Sequence, residues 1–192
     1  VLKQFGGVEN FSLEEIPEPQ VDNGQVLIRV KAIGINPVDI KTRKGNGQAR
    51  QYKDALKMVI GWDVAGVITR VAGDVKDFSV GDEVFGTINF PGQGGAYAEY
   101  AVAPANQIVR KPANISMPEA AAATLATLTA WQALIDQRHI ATGDRVLFHG
   151  GVAGVPNFSI LYVLVRGRNL TLTSAYSDTC FFISPGAVSG IY

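Results

Sequence analysis

The chain of 192 residues carries 17 basic and 17 acidic side chains, so its formal net charge at pH 7 is zero. Without a basic field to attract nucleic acid or an anionic membrane, we expect a small-molecule partner and neither of those two. The single cysteine, Cys180, excludes an internal disulfide. Because the sequence shows no cationic leader and no apolar run long enough to span a bilayer, we predict a cytoplasmic protein.

Short runs of β-forming residues, separated by Gly, Asp and Asn turns, characterise the chain up to Pro112. The predicted strands are Val26–Ile33, Asp63–Ala72, Asp82–Ile88 and Ala96–Val102. Together they predict a β-barrel-like first domain over residues 1–112, with a junction at Lys111–Pro112 and a second domain over residues 113–192.

The second domain opens with a helix signal. Ser116 and Glu119 have the spacing of a capping box, and an alanine-rich run follows to about Asp136. A strand at Arg145–Phe148 then enters a glycine-rich turn and a further helix, before a second strand at Asn169–Thr173. Such a turn holds a dinucleotide pyrophosphate, since backbone N–H groups and the helix dipole converge on the phosphates.

A complete doubly wound domain contains two such halves, yet after Asn169–Thr173 only one more extended stretch fits before Tyr192. We therefore expect a partial nucleotide-binding domain, which belongs to a longer protein or is covered by a partner.

Several ordered motifs are together more specific than one glycine fingerprint. They are Ala32–Asp39, Gly61–Gly66, Val80–Val84, Gly94–Tyr100, Ala120–Ala123, Leu128–Trp131 and His149–Gly151. With this series, over about residues 1–155, the chain resembles the zinc-independent quinone oxidoreductase branch of the medium-chain dehydrogenase/reductase family.

The resemblance implies an α/β protein with a β domain: a GroES-like, partly open β-barrel followed by a truncated Rossmann domain with a doubly wound parallel sheet. It also implies NADPH in the cleft and hydride transfer to a quinone or an α,β-unsaturated carbonyl, with a possible homodimer. The hydride chemistry then belongs to the cofactor, and the protein positions the nicotinamide against the acceptor.

Carried over by position, the resemblance places Asn36 near the nicotinamide and substrate, with Asp39 and Lys41 as supporting polar groups at the catalytic site. Thr129 would bond the carboxamide. The other implied cofactor contacts are Gly150, Gly151, Gly154, Val155 and Ser174. Two plainer interpretations stay open: Asn36 before Pro37 is also a turn former, and Thr129 is also an ordinary helix-face hydroxyl.

Metal-dependent relatives place a Cys where this chain has Asn36, and a His-Glu pair where it has Trp62-Asp63. A Cys-rich structural site would need four closely spaced cysteines, which this sequence lacks. We therefore predict no metal site and no zinc.

The glycine-rich turn departs from the family pattern at Ala153 and Pro156, which add a methyl group near the phosphates and remove a donor at the helix start. The segment Thr171–Ser177 offers no acidic residue to bind the ribose hydroxyls, which favours NADPH over NADH. The alternative function is a non-enzymatic binding or structural module with a degenerate nucleotide site.

Overall fold

The fold was analysed in a computed structural model. It describes residues 1–53, 58–141, 144–149, 159, 169–174 and 177–183. The chain divides into two compact units, Val1–Leu125 and Ala126–Tyr192. This division lies inside a helix, beyond Lys111–Pro112, and the domain limits of the sequence analysis stay a prediction.

The first unit is built on one antiparallel sheet of five strands in the order β4-β1-β2-β3-β5. The strands are β1 Gln25–Gly34, β2 Asp63–Val71, β3 Glu83–Thr87, β4 Tyr100–Pro104 and β5 Ile108–Arg110. Buried and exposed positions alternate along β3 and β4, as expected of strands with one face on a core. The first three predicted strands are confirmed, with ends that shift by one residue.

The fourth predicted strand, Ala96–Val102, is wrong in its first half. The backbone N–H groups of Ala96 and Tyr97 donate to the carbonyls of Gly61 and Ile60 at 3.1 and 3.0 Å. These bonds hold the segment against the start of β2, so regular pairing with β1 begins only at Tyr100.

The core of the first unit lies on one face of the sheet. Val26 and Ile28 of β1 and Val64 and Ile68 of β2 are fully buried, and Val84 of β3 packs with them. Burial of one such side chain stabilises the fold by about 1.5–3 kcal/mol. A smaller cluster beside this core holds Leu2, Tyr52, Met58, Ile60 and Trp62.

Gly66 allows β1 and β2 to approach closely. A Cβ at this position would overlap the Arg29 carbonyl and lie 2.7 Å from Cγ2 of Ile28. We expect Gly66→Ala to lower the free energy of unfolding by about 1–3 kcal/mol, because the extra methyl group forces the strands apart. Urea unfolding measures this, with Gly73→Ala as the control since nothing lies within 4 Å of its Cβ. Equal stability of the two variants would contradict the expectation.

Two helices flank the candidate site. Helix α1 is Pro37–Arg43, and helix α2 is Met117–Trp131, which continues as a π-helical segment over Gln132–Gln137. The predicted capping box of α2 is confirmed, since Ser116 N–H donates to Glu119 Oε2 at 2.7 Å and Glu119 N–H to Ser116 Oγ at 3.4 Å. Among the described helices, none combines the length and the apolar character that crossing a membrane requires.

The second unit contains a sheet of three strands, β6 Arg145–His149, β7 Asn169–Ser174 and β8 Ser177–Ile183. The two predicted strands are confirmed, and they pair in parallel, as in a nucleotide-binding unit. Strand β8 is antiparallel to β7, which departs from a wholly parallel sheet. Only two residues separate β7 from β8 in the sequence, whereas a parallel connection needs a dozen or more.

Candidate active site

Asn36 lies where the chain leaves β1 and enters α1. It is the N-cap of α1 in an extended conformation, and Pro37 occupies the first helical turn. Both residue types are favoured at these positions, because Asn satisfies free N–H groups and Pro needs no hydrogen-bond partner there. A capping box joins Asn36 to Asp39, and the backbone N–H of Asn36 donates to Asp39 Oδ2 at 2.7 Å. The local sequence therefore fixes the backbone of Asn36.

The Asn36 side chain is held by a second carboxylate. Its Nδ2 donates to Oδ2 of Asp63 at 2.7 Å. Asp63 is fully buried at the first position of β2, where the sheet register pairs it with Gly34 on β1 and Thr87 on β3. A Cβ on Gly34 would lie 2.8 Å from Cβ of Asp63, so glycine leaves the space that this carboxylate fills.

Asp63 accepts two further hydrogen bonds. The Thr87 hydroxyl donates to Oδ1 at 2.6 Å, and the backbone N–H of Leu125 in α2 donates to Oδ2 at 3.2 Å. Both carboxylate oxygens are therefore satisfied, as burial of a charged group requires. We name Asn36, Asp63, Thr87 and the Leu125 amide the Asp63 cluster. It ties the start of α1 to β2, β3 and α2.

Asp39 is buried, with 3% of its surface exposed. Its Oδ2 caps Asn36, whereas its buried Oδ1 has no hydrogen-bond partner in the part of the chain that the structure describes. Burial is the main reason why the pKa of Asp39 rises to about 6, with the Asn36 amide opposing this shift and the Asp63 charge adding to it. A neutral Asp39 is thus accessible near physiological pH.

The raised pKa predicts how stability depends on pH. Between about pH 4 and 6 the unfolded chain releases the Asp39 proton while the folded chain keeps it, so the free energy of unfolding falls by about 2–3 kcal/mol as pH rises. Asp39→Asn removes this contribution. We expect the stability difference between wild type and Asp39→Asn to change by that amount in urea unfolding between about pH 4 and 7. A difference that stays constant would contradict the assignment.

Asp39→Asn serves as the reference because other carboxyl groups, whose pKa values are lowered, make the free energy of unfolding rise with pH. The pKa of Asp82 is lowered mainly by the Ser79 amide, and that of Glu119 mainly by the Ser116 amide. Both contributions cancel when wild type and Asp39→Asn are measured under the same conditions.

Tyr97 and Tyr52 lie near Asp39 in different settings. The Tyr97 phenol interacts with the Asp39 carboxyl without meeting the geometry of a regular hydrogen bond to Oδ1, and burial together with the Asp39 charge raises the pKa of Tyr97. The Tyr52 hydroxyl accepts from Gly94 N–H at 2.9 Å and donates to the Val59 carbonyl at 3.3 Å. Tyr52 is therefore a core residue with both hydrogen-bonding functions used, and burial raises its pKa.

The structure brings together two of the three residues predicted for the catalytic site. Asn36 and Asp39 share the turn that opens α1. Lys41 is exposed and lies two positions beyond Asp39, so it points to a different side of the helix. Among the described residues no hydrogen bond or ion pair joins the Lys41 side chain to the Asp63 cluster. Its supporting role stays a prediction.

The predicted cofactor contacts belong mostly to the second unit. Thr129 is exposed on α2, and Ser174 is the last residue of β7. The remaining four lie outside the described residues: Gly150, Gly151, Gly154 and Val155. The roles of all six stay predictions.

Sequence reasoning missed Asp63 and Thr87 as parts of the site. The sequence marks position 63 only as a place where metal-dependent relatives have a zinc ligand. It does not indicate that Asp63 accepts a hydrogen bond from Asn36. Thr87 lies within the predicted strand Asp82–Ile88 and is the last residue of β3, and threonine is common in strands. Within the described ranges, no group of three or more His, Cys, Asp or Glu side chains is arranged to hold a metal ion.

The chain is similar in sequence to known proteins. Residues 22–113 match the alcohol dehydrogenase GroES-like domain. The chain is 38% identical to 2-methylene-furan-3-one reductase of Solanum lycopersicum over 81% of its own length and 41% of that protein. It is 37% identical to the NADPH-dependent alkenal/one oxidoreductase, chloroplastic, of Arabidopsis thaliana, over 83% of this chain and 42% of that one.

The chain is also similar in fold to a solved structure. The quinone oxidoreductase from Coxiella burnetii superposes with a TM-score of 0.82 at 35% identity, over 89% of this chain and 54% of that one. The chain spans about two fifths of the length of the two curated relatives. The first unit therefore contains an alcohol dehydrogenase GroES-like domain, and the chain is similar in sequence and fold to quinone oxidoreductases of the medium-chain dehydrogenase/reductase family.

Proposed function

We propose that this chain is part of a reductase that transfers a hydride from NADPH to a quinone or an α,β-unsaturated carbonyl. The observation that carries the proposal is Asn36 between β1 and α1, where one buried carboxyl group, Asp39, binds its backbone N–H and another, Asp63, binds its carboxamide nitrogen. The names of the relatives, a furanone reductase, an alkenal/one oxidoreductase and a quinone oxidoreductase, support the class of acceptor.

The role of Asn36 follows from its hydrogen bonds. Asp63 only accepts hydrogen bonds when ionised, so the amide nitrogen of Asn36 must face it, and this fixes the orientation of the carboxamide. A carboxamide held in one orientation can position a nicotinamide or an acceptor without rearranging during the reaction. Because hydride transfer is the chemistry of the cofactor, the site needs no activated nucleophile.

NADPH supplies the hydride when bound. The parallel pairing of β6 with β7 fits a nucleotide, because such a pair encloses the turn that binds phosphates in this family of folds. Thr129, the glycine-rich turn and Ser174 would hold the cofactor. The relative that is named NADPH-dependent supports NADPH over NADH.

Zinc independence is also a proposal, and the residues present do not fit a catalytic zinc. Trp62 is fully buried and its indole N–H donates to the Gly92 carbonyl at 3.0 Å, so it offers no lone pair. Asn36 replaces a thiolate, and its nitrogen is bound to Asp63. The cytoplasmic location and the homodimer stay predictions.

Cofactor titration tests the proposal. We expect NADPH to bind saturably to the full chain, and NADH to bind more weakly, as followed by calorimetry. The matched control is Asp77→Asn, which changes an exposed carboxyl far from the site in sequence and is expected to leave binding unchanged. Absence of binding at millimolar cofactor would favour the alternative function, a non-enzymatic module. Ala153 and Pro156, which depart from the family pattern of the glycine-rich turn, are consistent with that alternative.

A further inference from the structure

Asn36 is held by carboxyl groups at both of its nitrogen atoms. Its backbone N–H donates to Asp39 and its side-chain Nδ2 donates to Asp63, each at 2.7 Å. Two acidic side chains thus meet at one residue in the interior. Among the described residues, no Lys, Arg or His side chain forms a hydrogen bond or an ion pair with either carboxyl. Two negative charges so placed oppose each other, and the pair is more stable when one of them is neutral.

The two carboxyls differ in how well they are satisfied. Asp63 accepts donors at both oxygens, from Thr87 at Oδ1 and from Asn36 and the Leu125 amide at Oδ2. Asp39 accepts a donor at Oδ2 alone, and its Oδ1 is buried without a partner in the described part of the chain. A proton is therefore held best on Oδ1 of Asp39, where it disturbs no existing hydrogen bond and leaves Oδ2 free to cap Asn36.

Three ionisable side chains from neighbouring elements face Asp39. They are Asp63 from β2, Tyr97 from the segment before β4, and Tyr52 from the short helical turn Ala49–Tyr52. The pKa values of both tyrosines are raised, so their phenols stay neutral and supply no charge near neutral pH. Burial and the Asp63 charge raise the pKa of Asp39.

We propose that Asp39 is a positioning residue for Asn36, that Oδ1 carries the proton when its carboxyl is neutral, and that the turn presenting Asn36 shifts when this proton is lost. The consequence for substrate or cofactor rests on the proposed function. The coupling between the Asp39 proton and the Asn36 backbone does not, because it follows from contacts within the chain.

Nuclear magnetic resonance tests the coupling without any ligand. The Asp39 carboxyl carbon and the Asn36 backbone amide are followed in the full chain between about pH 4.5 and 8. We expect both signals to titrate with one midpoint, above the ordinary range of an aspartate. In Asp39→Asn the Asn36 amide should not titrate, since the new carboxamide imitates the neutral acid. A midpoint of Asp39 within the ordinary range of an aspartate, or an Asn36 amide signal that does not follow the titration, would overturn the proposal.

Cofactor affinity supplies the second readout. Between about pH 5.5 and 8 we expect the dissociation constant of NADPH to change about tenfold, the change that one unit of pKa coupling produces. In Asp39→Asn it should stay at the low-pH value, whereas the control Asp77→Asn should follow wild type. An equal pH dependence in wild type and Asp39→Asn would overturn the proposal. If neither protein binds NADPH while the Asn36 amide still titrates with Asp39, the proposed function fails and the positioning role stands.

Discussion

Asp63→Ala is expected to lower the free energy of unfolding by about 3–5 kcal/mol, because it removes the shared acceptor of three partly buried hydrogen bonds. The donors are Nδ2 of Asn36, the Thr87 hydroxyl and the Leu125 amide. They belong to three different parts of the first unit, so the substitution weakens the packing where α1, β3 and α2 meet β2. Urea unfolding at neutral pH measures the effect. The same change should release the Asn36 side chain and reduce any reductase activity.

Asp63→Asn provides the graded comparison. An asparagine keeps one acceptor oxygen for Asn36 and Leu125, and its amide can donate to the Thr87 hydroxyl, which is able to turn and accept. We therefore expect less than half of the destabilisation of Asp63→Ala. The surface control Asp77→Asn should change the free energy of unfolding by less than about 0.5 kcal/mol, as is common for exposed positions away from special features. If Asp63→Ala were as stable as this control, the Asp63 cluster would have no structural role.

Asn36→Asp should produce the largest loss of activity. It places a second carboxylate where Nδ2 of Asn36 now lies, 2.7 Å from Oδ2 of Asp63. The two charges repel, so the side chain must turn away from its present position. Misplacement of a positioning group by about 1 Å costs on the order of a hundredfold in rate. We expect that reduction in kcat/KM for enone reduction with NADPH.

Two further variants separate charge from positioning. Asn36→Ala removes the carboxamide without adding charge and should lower kcat/KM by about tenfold to a hundredfold. Asn46→Ala alters an exposed asparagine in the loop after α1, whose backbone N–H donates to the Lys41 carbonyl at 2.9 Å, and should leave the rate unchanged. Full activity of Asn36→Ala would mean that Asn36 only shapes the turn before Pro37, the plainer interpretation from the sequence.

The sheet of the first unit was largely predictable from local patterns. Strands β1 and β2 carry apolar residues two positions apart, such as Val26 and Ile28, and turn residues bound them. The segment from Ala96 to Tyr100 has similar residue types, yet its amides bond to carbonyls more than thirty positions earlier. A pattern within one segment contains no information about such a partner.

The site shows the same division between local and distant information. The cap formed by Asn36, Pro37 and Asp39 lies within four positions, where the sequence predicts a turn former before proline and a supporting polar group at position 39. The bond from Asn36 to Asp63 spans 27 positions and depends on the register that places Gly34 opposite Asp63. Two irregularities in the pairing of β1 with β2 set that register, and no periodic pattern in the sequence reveals them.

The sequence also could not predict that Oδ1 of Asp39 is buried without a hydrogen-bond partner among the described residues. Whether a carboxyl is buried and which of its oxygens finds a donor depend on groups brought from β2 and from the segment before β4, as the contacts with Asp63 and Tyr97 show. A resemblance to a family identifies the residue type at this position. The protonation state follows only from the environment that the fold creates.

Isotope transfer tests the central claim most directly. The protein is incubated with an α,β-unsaturated ketone and NADPH that carries deuterium at C4 of the nicotinamide, prepared separately for each face of the ring. The account predicts that deuterium from one of the two cofactors appears at the β-carbon of the saturated ketone, and that Asn36→Asp slows its appearance about a hundredfold. No saturated product, or a product without deuterium from either cofactor, would contradict it.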